Sequence, residues 1–307
     1  MPSKVLPLRS AVRDYVEKGS IIGFAGSSGR ISIAFAYELI RQRIGGLLFV
    51  SAGTGAPCLD LLVGAELVKR AEISFTMTNN ANIRRAIEGR NAKSSYRFEI
   101  EDYSNLAMTY RFFAGANKLP FIPIRSLAGS DIEKIRTFKG NEKMVLVKSP
   151  FADHMKVEVL PPCSPDVSVM HAQYADENGN VLALGPSGSD AWLLKAGKKR
   201  IITVEKLVSK EFVQKNRLHT FVPGFIVDAV CEVPYGAHPY GLVGCYRSDV
   251  PFLSNYNSSS KTKRGFDEWT KEWIFDIKTR EEYLEKLGRK RIEELTNARY
   301  LKDTLFQ

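Results

Sequence analysis

Short apolar runs alternating with helix-period segments recur through the first half of this chain, and that alternation limits its fold more than any single residue does. Residues 21–25 form an apolar run too brief for a helix and flanked by glycines, and residues 33–43 restore helical spacing. The pattern repeats with a strand at 47–50, a Gly/Pro loop at 51–57, a helix at 59–68 and a strand at 72–77. Such alternation predicts an α/β fold: an open, mostly parallel sheet with helices on both faces. Runs at 119–124, 144–147, 167–171 and 201–205 are expected as further strands of the same plan, and 190–196 as a helix. An amphipathic helix at 8–18, carrying Leu8, Val12, Tyr15 and Val16 and stopped by Gly19, precedes them.

From Phe266 onward the pattern becomes helical. Phe266, Trp269, Trp273 and Ile274 share one face, and Tyr283, Leu284 and Leu287 form the apolar side of a charged stretch that follows, with Gly288 as a stop. The aromatic face reads as core packing, because large rings mostly supply buried area. No low-complexity linker divides the chain, so residues 1–307 are expected to form a single domain with a C-terminal helical extension over about 260–307.

A chain of this length needs no disulfide framework, and Cys58, Cys163, Cys231 and Cys245 form no CxxC pair; reduced thiols are expected. No run reaches the roughly 18 apolar residues of a membrane span, which predicts no membrane association and a cytoplasmic location. The net charge of +10 is spread along the chain, with short clusters only, at 198–200, 261–264 and 289–291. That distribution argues against nucleic acid and suits an anionic, nucleotide-bearing ligand.

Three loops follow predicted strands. Gly23, Gly26, Ser27, Ser28 and Gly29 place backbone N–H groups between a strand and a helix, where an anion is favoured; a tight turn would use the same residues. The spacing is neither a dinucleotide fingerprint nor a P-loop. The second loop, with Gly53 and Thr54, lies at the next strand end, and ligands of open α/β sheets bind outside such ends. Asn79 and Asn80 follow the third strand; their amides either orient a carboxylate or cap the helix after them. The second loop and this Asn pair are expected to meet at one end of the sheet.

Glu101 and Asp102 precede a helical stretch at 106–116 and read as N-terminal caps. If Glu101 instead faced a cleft, burial would raise its pKa and make it a candidate general base. Residues 176–180, Asp-Glu-Asn-Gly-Asn, read as a hairpin turn, and His171 as a structural hydrogen-bonding residue. His154, His171, His219 and His238 show no metal-ligand spacing, and no serine or thiol nucleophile motif is present. The residues alone end at an α/β protein with a polar site at its strand ends.

Longer motifs add a resemblance. Val222-Pro-Gly-Phe-Ile-Val-Asp-Ala-Val230, Val233-Pro-Tyr-Gly-Ala-His-Pro239, His171-Ala-Gln-Tyr-Ala-Asp-Glu-Asn-Gly-Asn-Val181 and Leu119-Pro-Phe-Ile-Pro-Ile124 with Gly129-Ser130 resemble the α-type subunits of class I coenzyme A transferases. Lys271-Glu-Trp-Ile-Phe-Asp276 and Glu282-Tyr-Leu-Glu-Lys-Leu-Gly288 carry the resemblance into the tail, toward the α-type subunits of glutaconate CoA-transferases. It implies a hetero-oligomer in which CoA moves between an acyl-CoA and a carboxylic acid, with no cofactor beyond CoA itself as substrate. It also implies that the nucleophilic glutamate belongs to a β-type partner, that this chain is inactive alone, and that Gly26, Ser27, Gly53, Thr54, Asn79 and Asn80 line the acyl pocket. Ala25-Gly26-Ser27, where the transferases read Gly-Gly-Phe, and Pro123-Ile-Arg125 are also similar to the ring-opening hydrolase subunits of actinobacterial steroid breakdown. In that alternative a water positioned by Glu101 would attack.

Overall fold

The strand that the first apolar run predicts lies in the middle of the sheet. In a computed structural model, the structure describes residues 3–53, 55–76, 80–89, 96–135, 137–138, 143–152 and 155–296. Its elements run α1 (Leu8–Tyr15), β1 (Ile21–Phe24), α2 (Ile33–Gln42), β2 (Leu47–Ser51), α3 (Ala56–Gly64), β3 (Val68–Ile73), α4 (Ala81–Glu88), β4 (Glu99–Asp102), α5 (Asn105–Ala116), β5 (Ile122–Ile124), α6 (Asp131–Lys134), β6 (Val145–Lys148) and β7 (Lys156–Leu160). They continue with β8 (Val167–Ala175), β9 (Val181–Leu182), α7 (Asp190–Ala196), β10 (Lys199–Leu207), α8 (Lys210–Lys215), β11 (Thr220–Val222), β12 (Ala229–Glu232), α9 (Val250–Ser259), α10 (Lys263–Thr270), α11 (Arg280–Leu287) and α12 (Arg289–Thr296).

Parallel pairing orders the main sheet β12-β10-β8-β1-β2-β3-β4, and antiparallel β9 and β11 extend it beside the far end of β8. The chain builds outward from β1 to β4, then returns to β1's other flank for β8, β10 and β12. The reversal makes the carboxyl ends of β1 and β8 a topological switch point, where such sheets leave a crevice.

Alternate residues of each strand face opposite layers. Ile22, Phe24, Leu47, Phe49, Val167 and Val169 pack beneath α1, α2, α3 and the C-terminal helices, whereas Val50, Met170 and Ala172 pack against α5 and α7. Phe24 stacks on Phe49 at 5.2 Å between ring centres. Each such fully buried side chain contributes about 1.5–3 kcal/mol. The aromatic face of the tail joins the first layer: Trp269 meets Tyr37, Phe252 and Tyr256 edge-on.

The hairpin forms as its turn residues predict. Asp176 Oδ1 accepts from the N–H groups of Asn178 (3.0 Å) and Asn180 (2.9 Å), Gly179 adopts φ +86°, and Tyr174 pairs with Leu182. Three expectations need correction. The runs at 119–124 and 144–147 do not join the parallel sheet but give β5 and β6, which flank β7 in a separate antiparallel sheet. The third strand begins at Val68, not at 72, because the helix before it stops at Gly64. A Cβ at Gly64 would lie 2.6 Å from both Asn82 Cγ and Phe266 Cζ, so packing also fixes a glycine there. Glu101 and Asp102 lie within β4, paired to Glu72 and Ile73, and Ser104 caps α5 instead, its side chain accepting from Ala107 N–H at 3.1 Å.

Candidate active site at the strand ends

The loops after β1, β2, β3 and β4 leave the same edge of the sheet, since these strands are parallel and in neighbouring register. The first turns sharply. Gly29 holds φ +80°, and a Cβ there would lie 2.0 Å from the Gly241 carbonyl oxygen, so no larger residue fits. In the second, Gly53 holds φ +95° with Asn105 Nδ2 3.1 Å from where its Cβ would be, which places that loop against the start of α5. Thr54 lies outside the described residues.

The donors of the first loop are already engaged. The carboxylate of Asp190, at the start of α7, accepts from Gly26 N–H (3.2 Å), Ser27 N–H (3.0 Å to Oδ2), Ser27 Oγ (3.1 Å) and Arg30 Nε (3.1 Å). Asp190 is 2% exposed and Arg30 not at all. Arg30 also donates to the carbonyls of Leu184 (2.8 Å) and Pro186 and lies 4.7 Å over the ring of Phe221. Burial raises the Asp190 carboxyl above the ordinary carboxylate range, against the pull of Arg30 and of the Gly26 and Ser27 amides. The anion expected at this loop is therefore a side chain of the same protein. Nothing local marks Asp190, since an acidic residue opening a helix suits the helix dipole by itself; its partners lie about 160 positions earlier in the chain.

Beyond β3, Asn80 occupies the N-cap position of α4, yet its side chain makes no cap hydrogen bond. Asn80 is 8% exposed, and its Nδ2 has no hydrogen-bond partner; the Oγ of Ser74, at the same strand end, is likewise buried and unpaired. Buried donors without a protein partner are rare, and each calls for an acceptor from elsewhere, such as a water, an ion or a ligand. Asn79 lies outside the described residues.

Glu101 faces inward, but to a cation. Its Oε1 lies 2.9 Å from Lys143 Nζ, and its Oε2 accepts from Thr137 N–H (2.7 Å) and Phe138 N–H (3.1 Å). Oε1 has the Lys143 ion pair as its contact and accepts no hydrogen bond from the described residues, so the carboxylate is committed to a buried cation and two backbone amides and is not presented to a cleft as a general base would be.

His171 is buried in a polar chain. Its Nδ1 is 2.9 Å from Thr203 Oγ1, which is 2.8 Å from Ser32 Oγ, and its Nε2 is 2.5 Å from Glu205 Oε1. Glu205 also accepts from Tyr246 OH and from Tyr235 N–H, both at 2.7 Å. This network joins the middles of β8 and β10 to the start of α2 and to the 235–246 loop. Burial disfavours the thiolate form of the cysteines, pushing Cys163, Cys231 and Cys245 up to about 12 and Cys58 well above its ordinary value. Glu177 lies on the exposed hairpin turn, 3.4 Å from Lys210 Nζ.

A groove of about 290 Å³ lies elsewhere, between α1, α2 and the C-terminal helices, with Tyr37, Glu38, Arg41, Trp273 and Arg280 on its walls. Two of its wall charges are paired within the protein: Glu38 accepts from Arg41 and Gln42, and Arg280 donates to the carbonyls of Pro234 and Tyr235.

The chain is similar to known proteins over most of its length. Over 302 residues the chain is 33% identical to the A-type subunit of glutaconate CoA-transferase of Acidaminococcus fermentans, covering 94% of this chain and 93% of that one. The crystal structure of glutaconate coenzyme A-transferase from the same organism superimposes with a TM-score of 0.89 at 32% identity, over 97% of this chain and 96% of the other. Identity is 31% over 289 residues to the A-type subunit of 3-oxoadipate CoA-transferase of Pseudomonas knackmussii, covering 93% and 99% of the two chains. To the cholesterol ring-cleaving hydrolase IpdA subunit of Rhodococcus jostii it is 30% over 281 residues, covering 88% and 92%. The coenzyme A transferase family model matches residues 6–233, the whole α/β sheet and its loops, and the chain belongs to that family.

Proposed function

We propose that this chain is the acyl-binding half of a heteromeric CoA transferase, moving coenzyme A between an acyl-CoA and a free carboxylic acid, with a β-type partner supplying the nucleophilic glutamate. The observation that carries this reading is a strand end with unpaired donors whose nearby carboxylates are committed to buried cations. Asn80 Nδ2 and Ser74 Oγ are buried without partners, whereas the carboxylates of Asp190 and Glu101 are committed to Arg30 and Lys143. A thioester carbonyl or a substrate carboxylate supplies the acceptors that such donors lack.

Gly26 and Ser27 shape one wall of the pocket, with their N–H groups held by Asp190, and Gly53 and Thr54 shape the next. Asn79 and Asn80 orient the substrate. Exposed apolar side chains surround the same strand ends, Phe75 after β3 and Leu106 and Tyr110 on the first turns of α5, which supports a partner subunit covering the site. The ion-paired state of Glu101 speaks against the hydrolase alternative, which needs that carboxylate free.

The test is reconstitution. Co-expression with the β-type partner, followed by chromatographic measurement of product acyl-CoA from a dicarboxylic acyl-CoA and acetate, is expected to show transfer that follows ping-pong kinetics. Hydrolysis to free CoA at a comparable rate, with no dependence on the acceptor acid, would reject the transferase reading.

A further inference from the structure

Segment 184–190 touches both glycine-rich loops. Ser189 Oγ donates to the Ala52 carbonyl at 3.2 Å, and Asp190 receives the N–H groups of Gly26 and Ser27. Gly188 passes so close that a Cβ there would lie 2.5 Å from Ser27 Oγ. Arg30 closes the arrangement from the opposite side, with its guanidinium on Asp190 and on two carbonyls of the same segment. Two successive backbone amides converging on one carboxylate form a nest of the kind that elsewhere binds a ligand anion. Here the ligand is built in, and its charge is balanced by a cation with no exposed surface.

We infer that Asp190 is a positioning residue for acyl transfer, an internal anion that fills the nest of the first loop and thereby sets the shape of the pocket wall. The inference rests on the reading that this loop lines the acyl pocket. A ping-pong exchange needs the same acyl carbonyl presented twice, once to the partner's carboxylate and once to the returning thiolate, and reacting groups tolerate misplacement poorly. Without the carboxylate, two amides and the Arg30 guanidinium are left facing one another with no acceptor between them. The loop then relaxes, and the vacated nest becomes a receptor for a small carboxylate of the same shape.

The experiment uses Asp190→Ala in the full chain and in the complex with its β-type partner, with sodium formate as probe and sodium chloride at matched ionic strength as control. Transfer is followed as product acyl-CoA, so any formyl-CoA is not counted. The expected result is a fall in kcat/KM on the order of 10²-fold, of which formate restores on the order of tenfold and chloride none. Formate is also expected to raise the melting temperature of the variant chain but not of the wild type, whose nest is full.

Transfer by the variant within about threefold of wild type, with no stabilisation by formate, overturns the inference. So does a loss that formate neither reverses nor accompanies with stabilisation, which leaves the acyl-pocket reading in place. Stabilisation by formate without any change in transfer overturns the premise instead, because the internal anion then stands in a loop that does not serve the acyl group. Should Asp190→Ala fail to fold, Asp190→Asn carries the test. The isosteric amide fills the nest without charge, so kcat/KM is expected to fall on the order of tenfold with no response to formate, and an unchanged value overturns the inference.

Discussion

Lys143 Nζ lies 2.9 Å from Glu101 Oε1, with neither side chain more than 3% exposed. A buried pair of this kind is held by mutual attraction that offsets two desolvation costs, so removing one charge leaves the other uncompensated. Glu101→Gln is therefore expected to lower the free energy of unfolding by about 3–5 kcal/mol, measured by urea denaturation, while transfer by the assembled complex stays within about threefold of wild type. The double variant Glu101→Gln/Lys143→Met should recover much of that stability. A collapse of turnover at unchanged stability would make Glu101 the base of a hydrolase.

Asn80 calls for the opposite signature. Its Nδ2 has no partner to lose, so Asn80→Ala is expected to leave the melting temperature nearly unchanged. It should lower kcat/KM about 10- to 100-fold, the loss of one hydrogen bond of about 1–3 kcal/mol to the substrate. Equal damage to stability and turnover would return Asn80 to a structural role.

Acid should loosen the C-terminal extension in two steps. His238 is buried with Nδ1 2.7 Å from Tyr283 OH and Nε2 3.2 Å from Asp249 Oδ2. Burial lowers the imidazole below its ordinary 6.5, reinforced by Arg280 and Arg291 and opposed by Asp249. Because the unfolded state then takes up the proton first, stability falls as pH drops below about 6.5. Asp249 runs in the same direction at lower pH. Burial works against its ionisation, but His238 and Arg291 hold its carboxyl well below the ordinary 3.8, so stability present above that value is lost as pH falls further. Urea midpoints measured from pH 7.5 to 5 should decline, and His238→Gln should flatten the decline. An equal slope in the variant would assign it to another group.

The purified chain by itself is expected to show no CoA exchange between an acyl-CoA and a free acid, with activity appearing on addition of the β-type partner. Isotope exchange into the acyl-CoA pool measures this directly, and robust exchange by the single chain would place a nucleophile in it.

Much of the scaffold was legible because local rules govern it. Short apolar runs beside glycines and period-3.6 spacing mark the alternation from β1 to α3, and Asn178-Gly179 marks the hairpin through its turn chemistry. Boundaries failed where a backbone turn overrode spacing. The apolar run 59–68 reads as one helix, yet Glu66 turns left-handed at φ +60°, its N–H and that of Leu67 close back on the carbonyls of Val63 and Leu62, and Val68 already pairs with Leu47. The separate β5-β7-β6 sheet was hidden because a strand's own residues specify that it pairs, not with which neighbour.

The site divides along the same line. From the order of residues alone follow the parallel α/β sheet, the glycine-rich loops at its strand ends, the amides after β3 and the motifs of the transferase family. The tertiary structure alone decided what those groups do: that Asp190 fills the nest of Gly26 and Ser27, that Glu101 is spent on Lys143, and that Asn80 is left with an unpaired donor. Backbone conformation and amphipathic periodicity arise from neighbours a few residues apart and are written into short windows of sequence. Charge pairing and desolvation depend on groups brought together across some 40 to 160 positions, and only the folded chain brings them together.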